Sequence, residues 1–314
     1  MLAAGELSDV LFGSSRSMVE LNNYLRKVAL SDATVLITGE TGTGKERVAG
    51  GLHQLGPRAA GPFVSVNCAA LPDTLIESEL FGHQRGAFTG ASSDFPGRFS
   101  QADHGTLFLD EVGELAFSAQ AKLLRAIEDR EVTSLGSTRK QKVDVRIVVA
   151  TNAPLEEMVE RHSFRADLFY RLNVVRIELP PLRERPDDIA PILDHFIGQQ
   201  NKRRALKVGR PDTELLRRMR SYDWPGNIRE LRNLVEAMFV DPPEGQSIRL
   251  ADLPPNFRRL FEEMARPGED ERGRLVEVLK ETNWNKVAAA REMKWSRMTL
   301  YRKLAKYDLS NSGD

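Results

Sequence analysis

A glycine-rich loop between an apolar run and a helical pattern constrains the fold of this chain more than any other feature. The loop follows the apolar run that begins at Thr34, and its residues are Gly39, Glu40, Thr41, Gly42, Thr43, Gly44 and Lys45. Glycines permit the backbone angles that turn successive N–H groups inward around a phosphate. The helical pattern beginning near Lys45 adds the positive end of its dipole, and Lys45 adds a point charge. The sequence therefore predicts a binding site for ATP.

Short apolar runs alternate with amphipathic segments through the first half of the chain. The runs lie at residues 34–39, 63–67, 106–110, 145–150 and 174–179. Between two of them, the segment 120–129 carries Leu123, Leu124 and Ile127 on one helical face. Buried strands that alternate with helices favour a parallel sheet with right-handed crossovers. We therefore expect an α/β fold, a parallel sheet with helices on both faces.

Two carboxylates, Asp110 and Glu111, follow one of the apolar runs. Ligands of α/β proteins bind at the carboxyl ends of parallel strands. Because Glu46 stands where a Ser or Thr usually binds Mg²⁺, we expect Asp110 to hold the metal ion, directly or through water. Glu111 is predicted to polarise the attacking water as a general base. Asn152, after the run at 145–150, is expected at the same edge, sensing the γ-phosphate or orienting the water.

Strand patterns end after the proline-rich segment 180–186. Helical patterns follow at residues 188–199, 213–220 and 227–239, and they predict an all-helical second domain. Residues 262–272 are polar and contain a Pro-Gly pair, which predicts a linker.

The C-terminal segment is basic although the whole chain is neutral. The chain has 45 basic and 45 acidic residues, but residues 271–307 hold ten lysines and arginines against four acidic residues. Two helical patterns, at 285–292 and from Ser296, fit a helix-turn-helix whose second helix enters the major groove of DNA; a solvated basic helix is the alternative. The expected DNA contacts are Arg297, for a guanine edge, with Met298, Thr299, Arg302, Lys303 and Lys306.

A glycine-flanked loop with a phenylalanine at its tip lies between the phosphate loop and Asp110. Its residues are Gly86, Ala87, Phe88, Thr89, Gly90 and Ala91. Taken alone, this segment is equally compatible with a surface hairpin and with a buried turn.

Composition argues against a membrane protein and against a secreted, disulfide-bonded protein. No run reaches the roughly 18 apolar residues of a membrane span, and the N-terminus lacks the build of a signal peptide. Cys68 is the single cysteine, so no internal disulfide forms, and we expect it to be buried rather than nucleophilic. The expected location is the cytoplasm, with no membrane partner.

These segments together resemble the AAA+ ATPase module of bacterial sigma-54-dependent transcriptional activators, also called enhancer-binding proteins. The resemblance runs from about Leu11 to Leu231 and resumes at the C-terminus. Its motifs are Gly-Glu-Thr-Gly-Thr-Gly-Lys-Glu at 39–46, Glu-Leu-Phe-Gly-His at 79–83, Gly-Ala-Phe-Thr-Gly-Ala at 86–91, Gly-Thr-Leu-Phe-Leu-Asp-Glu at 105–111, Phe-Arg-Ala-Asp-Leu at 164–168, Leu-Pro-Pro-Leu-Arg-Glu-Arg at 179–185 and Trp-Pro-Gly-Asn at 224–227. Glu46 is the ordinary residue of this family at its position.

The resemblance implies an AAA+ P-loop sheet, a helical lid and a C-terminal Fis-type helix-turn-helix, the last through Arg-Met-Thr-Leu-Tyr-Arg-Lys-Leu at 297–304. The implied boundaries are a short N-terminal extension at 1–8, the ATPase domain at 9–182, the lid at 183–261, the linker at 262–272 and the DNA-binding domain at 273–314.

The resemblance also implies a ring. Arg165 and Arg171, which by themselves suggest surface salt bridges, would be arginine fingers that reach the ATP site of a neighbouring subunit. A finger acting between subunits requires a ring, and the rings of this family are hexamers.

Further roles around the nucleotide follow from the resemblance alone. Arg229 would contact the nucleotide from the lid of its own chain. Asn67 would restrain Glu111, while Leu11 and Phe12 would border the adenine.

By the same resemblance, residues 86–91 form the contact with sigma-54. Gly86 and Gly90 would let the loop rise and fall, Phe88 would offer an apolar surface and Thr89 a hydroxyl.

The Fis-type domain would dimerise on a palindromic enhancer site. Leu275, Val278 and Leu279 are the expected dimer interface.

The expected function is an ATP-dependent activator that binds enhancer DNA, forms a ring and remodels the sigma-54 RNA polymerase holoenzyme from the closed to the open promoter complex. ATP and Mg²⁺ are the expected cofactors. Two other classes remain open: an AAA+ remodeller of another protein, and a DNA-binding repressor with a vestigial ATPase. About ten residues precede the ATPase core, so control would come from a separate regulatory protein, or the chain would be a piece of a longer activator.

Overall fold

The computed structural model describes residues 13, 15–88, 90–243, 247–263, 271–293, 295–307 and 309. Leu11, Phe12 and Thr89, which the resemblance assigns to adenine and sigma-54, lie outside the described residues. Within the described ranges, no helix is long and apolar enough to cross a membrane.

The described residues form nine strands and fourteen α-helices. The strands are β1 (Val35–Thr38), β2 (Phe63–Asn67), β3 (Thr106–Asp110), β4 (Glu131–Thr133), β5 (Lys140–Lys142), β6 (Arg146–Thr151), β7 (Val175–Glu178), β8 (Arg210–Pro211) and β9 (Ser247–Ile248). The helices are α1 (Arg16–Ala29), α2 (Lys45–Gln54), α3 (Asp73–Phe81), α4 (Gly97–Gln101), α5 (Phe117–Asp129), α6 (Leu155–Glu160), α7 (Ala166–Leu172), α8 (Ile189–Arg204), α9 (Thr213–Ser221), α10 (Asn227–Met238), α11 (Pro255–Glu263), α12 (Glu271–Glu281), α13 (Lys286–Glu292) and α14 (Arg297–Lys306).

Five strands form one sheet in the order β2-β3-β6-β1-β7, and every neighbouring pair is parallel. The predicted α/β fold is confirmed, and each expected apolar run forms a strand whose ends agree to within one residue. Because all five strands run the same way, their carboxyl ends share one edge of the sheet. Thr38, Asp110 and Thr151 therefore end side by side.

Each face of the sheet carries its own apolar core. Leu107 and Leu109 pack into one core, and Phe108 between them packs into the other. Side chains of a strand alternate between its two faces, so a continuous apolar run is stable only where helices cover both faces.

A buried arginine joins the sheet to two helix ends. The Arg146 guanidinium, only 2% exposed, donates to the main-chain oxygens of Val28 and Ala29 at the end of α1 and of Leu52 in α2. The last carbonyls of a helix lack partners within the helix, and a cation there is favourable. Burial lowers the pKa of Arg146.

Helices α8 to α11 build a separate apolar core around Trp224, which is fully buried and donates from Nε1 to the main-chain oxygen of Met219 at 2.7 Å. The prediction that this unit is all-helical was wrong in one detail, because β8 and β9 pair in parallel. Strands of two residues are too short to produce a sequence pattern.

Helices α12 to α14 form a third unit whose core contains Leu275, Val278 and Leu279 together with Leu300 and Leu304. The three upstream residues were expected to form a dimer interface, and that expectation was wrong. A unit this small needs the apolar faces of all three helices for its own core.

The segment expected to be a linker, 262–272, is helical at both of its ends. Helix α11 continues to Glu263 and α12 begins at Glu271, while residues 264–270 lie outside the described residues. Ser296 caps the N-terminus of α14, since its Oγ accepts from the Thr299 N–H at 3.0 Å.

An antiparallel hairpin, β4–β5, was not predicted. All three residues of β5 are exposed and polar, so the hairpin has no apolar alternation to reveal it.

Candidate functional site

The phosphate loop lies between β1 and α2, as the sequence predicted. Gly44 has a φ of 106° and directly precedes Lys45, the first residue of α2. The Lys45 ammonium is largely buried; it donates to the Gly39 main-chain oxygen at 2.9 Å and lies 3.5 Å from Glu111 Oε1. The cation of the loop and the carboxylate of β3 therefore face the same space.

The structure brings Glu111 and Asn152 together at the carboxyl edge of the sheet. The Asn152 N–H donates to Glu111 Oε2 at 3.0 Å, and Asn152 Nδ2 donates to Thr41 Oγ1 at 2.9 Å. Glu111 has left-handed backbone angles, φ 54° and ψ 52°. A non-glycine residue adopts this conformation at a cost in free energy. The conformation directs Glu111 toward the phosphate loop.

Asp110 lies beside these groups in a strongly acidic environment. Burial raises the pKa of Asp110, the Glu111 and Glu46 carboxylates raise it further, and Lys45 opposes the rise. A divalent cation would relieve this repulsion. Over the described part of the chain, no three His, Cys, Asp or Glu side chains are grouped to hold a metal ion, so such a cation would also need phosphate oxygens and water.

Within the described part of the chain, the Asn67 side chain makes no hydrogen bond to Glu111. Its Oδ1 instead accepts from the N–H groups of Ala69 and Ala70 and caps the short 3₁₀ turn Cys68–Ala70. Among the hydrogen bonds of the described residues, the Glu111 carboxylate is held by Asn152. The restraint that the resemblance assigns to Asn67 is absent from this conformation.

Cys68 is 3% exposed, which agrees with the prediction of a buried, structural side chain. Burial, with a smaller contribution from the Asp110 and Glu111 carboxylates, raises the pKa of the thiol to about 12. The thiol is therefore protonated and a poor nucleophile at neutral pH.

The lid is attached to the phosphate loop by a buried asparagine. Asn227, fully buried at the start of α10, donates from Nδ2 to the main-chain oxygen of Thr41 at 3.0 Å and to Glu40 Oε2 at 3.2 Å. Its Oδ1 accepts from the Leu182 N–H at 2.8 Å. One side chain thus ties together the loop, the end of the sheet domain and the lid.

A charge pair strengthens the same junction. Arg183 reaches both carboxylate oxygens of Glu40, with Nη1 at 2.8 Å from Oε2 and Nη2 at 2.7 Å from Oε1. The bidentate hydrogen bonds from Arg183 hold the pKa of Glu40 below its usual value. Sequence reasoning placed Glu40 in the nucleotide loop but missed Arg183 and Asn227 as its partners. Both lie in motifs that carry the family resemblance, which was the available signal.

Gly42 has a steric reason to be glycine. Its φ is 82°, and a Cβ there would lie 2.3 Å from the main-chain oxygen of Gly226. The Ile228 N–H also donates to the Gly42 oxygen at 3.0 Å. The exposed Arg229 follows directly, so its side chain begins at the mouth of the phosphate loop.

The two candidate arginine fingers differ in their contacts. Arg165 pairs with Asp167 at 2.7 Å and lies over the ring of Phe117 at 5.5 Å. Arg171 is exposed and lines a cavity with Thr34, which precedes β1. The phosphate loop follows the other end of β1, about 13 Å away. Arg171 therefore lies at the opposite edge of the sheet from the phosphate loop of its own chain.

The loop 86–91 closes on itself at the surface. The Gly86 N–H donates to the Ala91 oxygen at 2.9 Å, and Gly86 and Gly90 have φ of 83° and 107°. Phe88 is 38% exposed, and its ring centre lies 5.1 Å from that of His83 in an edge-to-face arrangement. Thr89 lies outside the described residues.

His83 and the β4–β5 hairpin support this loop, and sequence reasoning missed both contributions. The His83 Nδ1 lies 2.7 Å from Ser78 Oγ of α3, and the main chain of His83 pairs with Phe95. Gly136, in the hairpin turn, has no Cβ; one there would lie 3.0 Å from the Ala87 Cβ. His83 and the turn of the β4–β5 hairpin therefore pack against the loop and support it.

The candidate DNA-contacting residues of α14 fall into three groups. Arg297, Met298 and Lys306 are exposed, Met298 by 81%. Arg302 and Lys303 instead contact Asp223 of the lid, at 3.1 and 3.3 Å. The last candidate, the Thr299 hydroxyl, lies 2.8 Å from Ser296 Oγ and takes part in the N-cap.

Together the fold and the site define an AAA+ P-loop protein with a helical lid and a C-terminal helix-turn-helix. Comparison with protein families agrees: the sigma-54 interaction domain matches residues 11–178, the AAA+ ATPase lid domain residues 183–269, and the Fis family of bacterial regulatory proteins residues 268–307. The chain belongs to the sigma-54 interaction domain family.

The chain is also similar in sequence to curated transcriptional regulators. The DNA-binding transcriptional activator HyfR of Escherichia coli is 46% identical over 294 residues, covering 88% of this chain and 44% of the relative. The DNA-binding transcriptional regulator NtrC of Rhizobium meliloti is 50% identical over 234 residues, covering 74% and 48%. The chain spans about half the length of the curated relatives it matches.

A solved structure resembles the whole chain. NtrX from Brucella abortus in complex with ATP has a TM-score of 0.74 at 31% identity, covering 97% of this chain and 71% of NtrX. The same protein in complex with ADP also gives 0.74, at 30% identity.

Proposed function

We propose that the chain is a sigma-54-dependent transcriptional activator that uses ATP hydrolysis to drive the loop 86–91 against sigma-54 and open the promoter complex. One observation carries the proposal. The loop interrupts the connection between β2 and β3, and the ends of these strands bear Asn67 and Asp110 at the candidate nucleotide edge. Both ends of the segment that carries Phe88 are therefore attached to that edge, and a change there would be passed to the loop through this segment.

ATP is the proposed nucleotide, and the phosphate-binding residues would be 39–46. The complexes of NtrX with ATP and with ADP support this assignment. Lys45 would exchange its contact with the Gly39 oxygen for the β- and γ-phosphates. Arg229 would add positive charge from the lid, and Leu11 with Phe12 would border the adenine.

Hydrolysis would use the carboxylates at the end of β3. Glu111 would accept the proton of the water that attacks the γ-phosphorus, and the Asn152 N–H would orient Glu111. Asp110 would hold Mg²⁺, which supplies positive charge to the phosphates, and the acidic environment of Asp110 favours such a cation. Asn67 would have to leave its 3₁₀ turn before it could restrain Glu111.

The chains would associate with one another, from a dimer to a hexameric ring, and the ring would be the active form. Arg165 and Arg171 would stabilise the transferred phosphoryl group in the neighbouring subunit. The position of Arg171, at the sheet edge opposite its own phosphate loop, supports action between subunits. The ion pair of Arg165 with Asp167 would open on assembly.

The C-terminal unit, from about residue 273, would bind a palindromic enhancer through α14. The basic character of 271–307 and the match to the Fis family support this role. The ATPase domain would span 9–182 and the lid 183–261, after a short extension at 1–8. We propose a cytoplasmic protein under the control of a separate regulatory protein or of further sequence.

The test compares Thr89→Ala with wild type and with the matched control Ser92→Ala, just outside the loop. ATP hydrolysis and ATP-dependent opening of a supercoiled sigma-54 promoter are measured with the holoenzyme. We expect all three proteins to hydrolyse ATP, and only Thr89→Ala to fail in promoter opening. If no protein opens the promoter although all hydrolyse ATP, the activator proposal fails and a remodeller of another target replaces it.

A further inference from the structure

The second helix of the helix-turn-helix is held against the lid by one carboxylate. Asp223 Oδ2 accepts from Arg302 Nη2 at 3.1 Å and lies 3.3 Å from Lys303 Nζ. All three side chains are at least two-thirds buried, with exposures of 24% for Asp223, 30% for Arg302 and 13% for Lys303. Partly buried ion pairs are screened less by salt than exposed ones. The contact therefore persists better at physiological ionic strength than an ordinary surface pair.

Asp223 lies next to the segment that attaches the lid to the phosphate loop. It precedes Trp224, and the chain then reaches Asn227, whose side chain donates to Thr41. The Tyr222 hydroxyl, on the other side of Asp223, donates to Glu230 Oε1 at 3.0 Å. A movement of this segment at the nucleotide site would move Asp223.

The charge of Arg302 extends to the same junction. Arg183 is the main cause that holds the pKa of Glu40 below its usual value, and Arg302 adds to that effect. Burial raises the pKa of Glu230, and Arg302 opposes that rise. The guanidinium thus lies close enough to the carboxylates on both sides of the lid–loop junction to act on each of them.

The contact uses cations that DNA would also require. A protein that binds the DNA backbone neutralises phosphates with free Lys and Arg side chains. In this conformation Arg302 and Lys303 are engaged by Asp223, whereas Arg297, Met298 and Tyr301 stay exposed. The helix cannot give the same two cations to the lid and to DNA at once.

We propose that Asp223 docks the DNA-recognition helix on the lid, so that the lid and DNA compete for Arg302 and Lys303. This inference rests on the proposed function of α14 in DNA binding. Because coupling between two sites is reciprocal, a nucleotide that moves the Asp223–Asn227 segment would change the affinity for DNA, and DNA would change the affinity for nucleotide by the same factor.

An unpaired group weakens the contact between Asp223 and Arg302. Arg302 Nε is buried and, among the described residues, has no hydrogen-bond partner. A buried, unpaired N–H opposes the contact that the other guanidinium nitrogens make. DNA, which offers several phosphate oxygens, can therefore displace a single carboxylate.

The test measures the binding of a fluorescent duplex of about 30 mixed-sequence base pairs at about 100 mM NaCl, a probe that reports backbone contacts. Asp223→Asn is compared with wild type and with Asp241→Asn, a matched charge change on an exposed lid residue. We expect Asp223→Asn to bind about fivefold or more tightly than wild type, and Asp241→Asn to change affinity less than about twofold. Equal affinities of the two variants would overturn the proposal.

A second measurement detects the dock without DNA. The double variant Ser221→Cys, Ala305→Cys replaces two exposed residues and keeps Asp223, Arg302 and Lys303 in place. It is treated with a bis-maleimide, while native Cys68 is buried and protected. We expect an internal cross-link that prior addition of the duplex, or the further change Asp223→Asn, reduces, and none in Asp241→Cys, Ala305→Cys. Absence of the cross-link in the first pair would refute the dock even if DNA binding is intact. A cross-link in a chain that binds no duplex in any variant would instead refute the DNA-binding function, and with it the competition.

Discussion

Asn227 of the lid donates a hydrogen bond from Nδ2 to the main-chain oxygen of Thr41 in the phosphate loop, at 3.0 Å. Asn227 also has a left-handed φ of 50°, which asparagine tolerates better than most residues. The position of the lid is therefore linked to that of the loop through a buried side chain. Any change of the loop on nucleotide binding would be transmitted to α10.

Replacement of Asn227 should destabilise the chain strongly. Asn227→Ala leaves the Leu182 N–H and the Thr41 oxygen without their partner, and we expect a loss of about 3 kcal/mol in the free energy of unfolding. Urea unfolding followed by tryptophan fluorescence measures the loss. Asn22→Ala on α1 is the control, with an expected change within about 0.5 kcal/mol. Equal effects of the two substitutions would show that the Asn227 contacts contribute little.

Gly42→Ala and Gly50→Ala should have opposite effects. A Cβ at Gly42 would lie 2.3 Å from the Gly226 oxygen, whereas one at Gly50 meets no atom within 4 Å. We expect Gly42→Ala to weaken both nucleotide binding and thermal stability. Gly50, inside α2, should gain about 0.5–1 kcal/mol of stability on replacement by alanine. Calorimetry with and without ATP measures both effects, and a neutral Gly42→Ala would contradict the close approach of the lid.

The contact of Glu40 with Arg183 should make stability depend on pH in the acid range. Arg183 holds the pKa of Glu40 below its usual value. The pair therefore contributes fully above the unfolded-state pKa of about 4.3 and is lost as pH falls through the lower, folded-state value. We expect wild type and Glu40→Gln to differ in melting temperature near pH 6 and to converge toward pH 3. The exposed Glu178→Gln serves as the control, and a difference that persists unchanged at acid pH would contradict the assignment.

His83 should hold Phe88 against the body of the protein. The edge-to-face contact of the two rings at 5.1 Å is lost in His83→Asn, and so is the contact with Ser78. We expect faster amide hydrogen exchange across residues 86–91, because the loop loses its support. His162→Asn, an exposed histidine with a left-handed φ, is the matched control. Unchanged exchange in His83→Asn would mean that the loop is held by its main-chain bonds alone.

The strands that carry the site were predictable and the contacts between units were not. Residues 106–110 form a continuous apolar run with no other stable location than the middle of a sheet, so both the strand and the position of Asp110 followed from the pattern. Leu275 and Val278 were misassigned because an apolar face shows only that a residue is covered, and the structure shows that α13 and α14 cover it.

Some side-chain contacts of the site were predictable from the sequence, and others were not. Glu111 and Asn152 were expected at the same edge because each directly follows a predicted strand, and the structure shows that these strands, β3 and β6, are neighbours. The link from Asn227 to Thr41 spans 186 residues and depends on how the lid closes over the loop, which no local pattern encodes. The Asp223 contact with Arg302 is of the same kind.

Permanganate footprinting of DNA opening tests the central claim most directly. A supercoiled plasmid with a sigma-54 promoter is incubated with ATP, Mg²⁺ and micromolar protein, so that mass action replaces an unidentified enhancer site. The account predicts ATP-dependent opening by the wild-type chain with the sigma-54 holoenzyme, and no opening with Lys45→Ala. It also predicts that the protein does not change how far a sigma-70 holoenzyme opens its own promoter. Absence of opening by the wild-type chain with the sigma-54 holoenzyme, while it hydrolyses ATP at a steady rate, would contradict it.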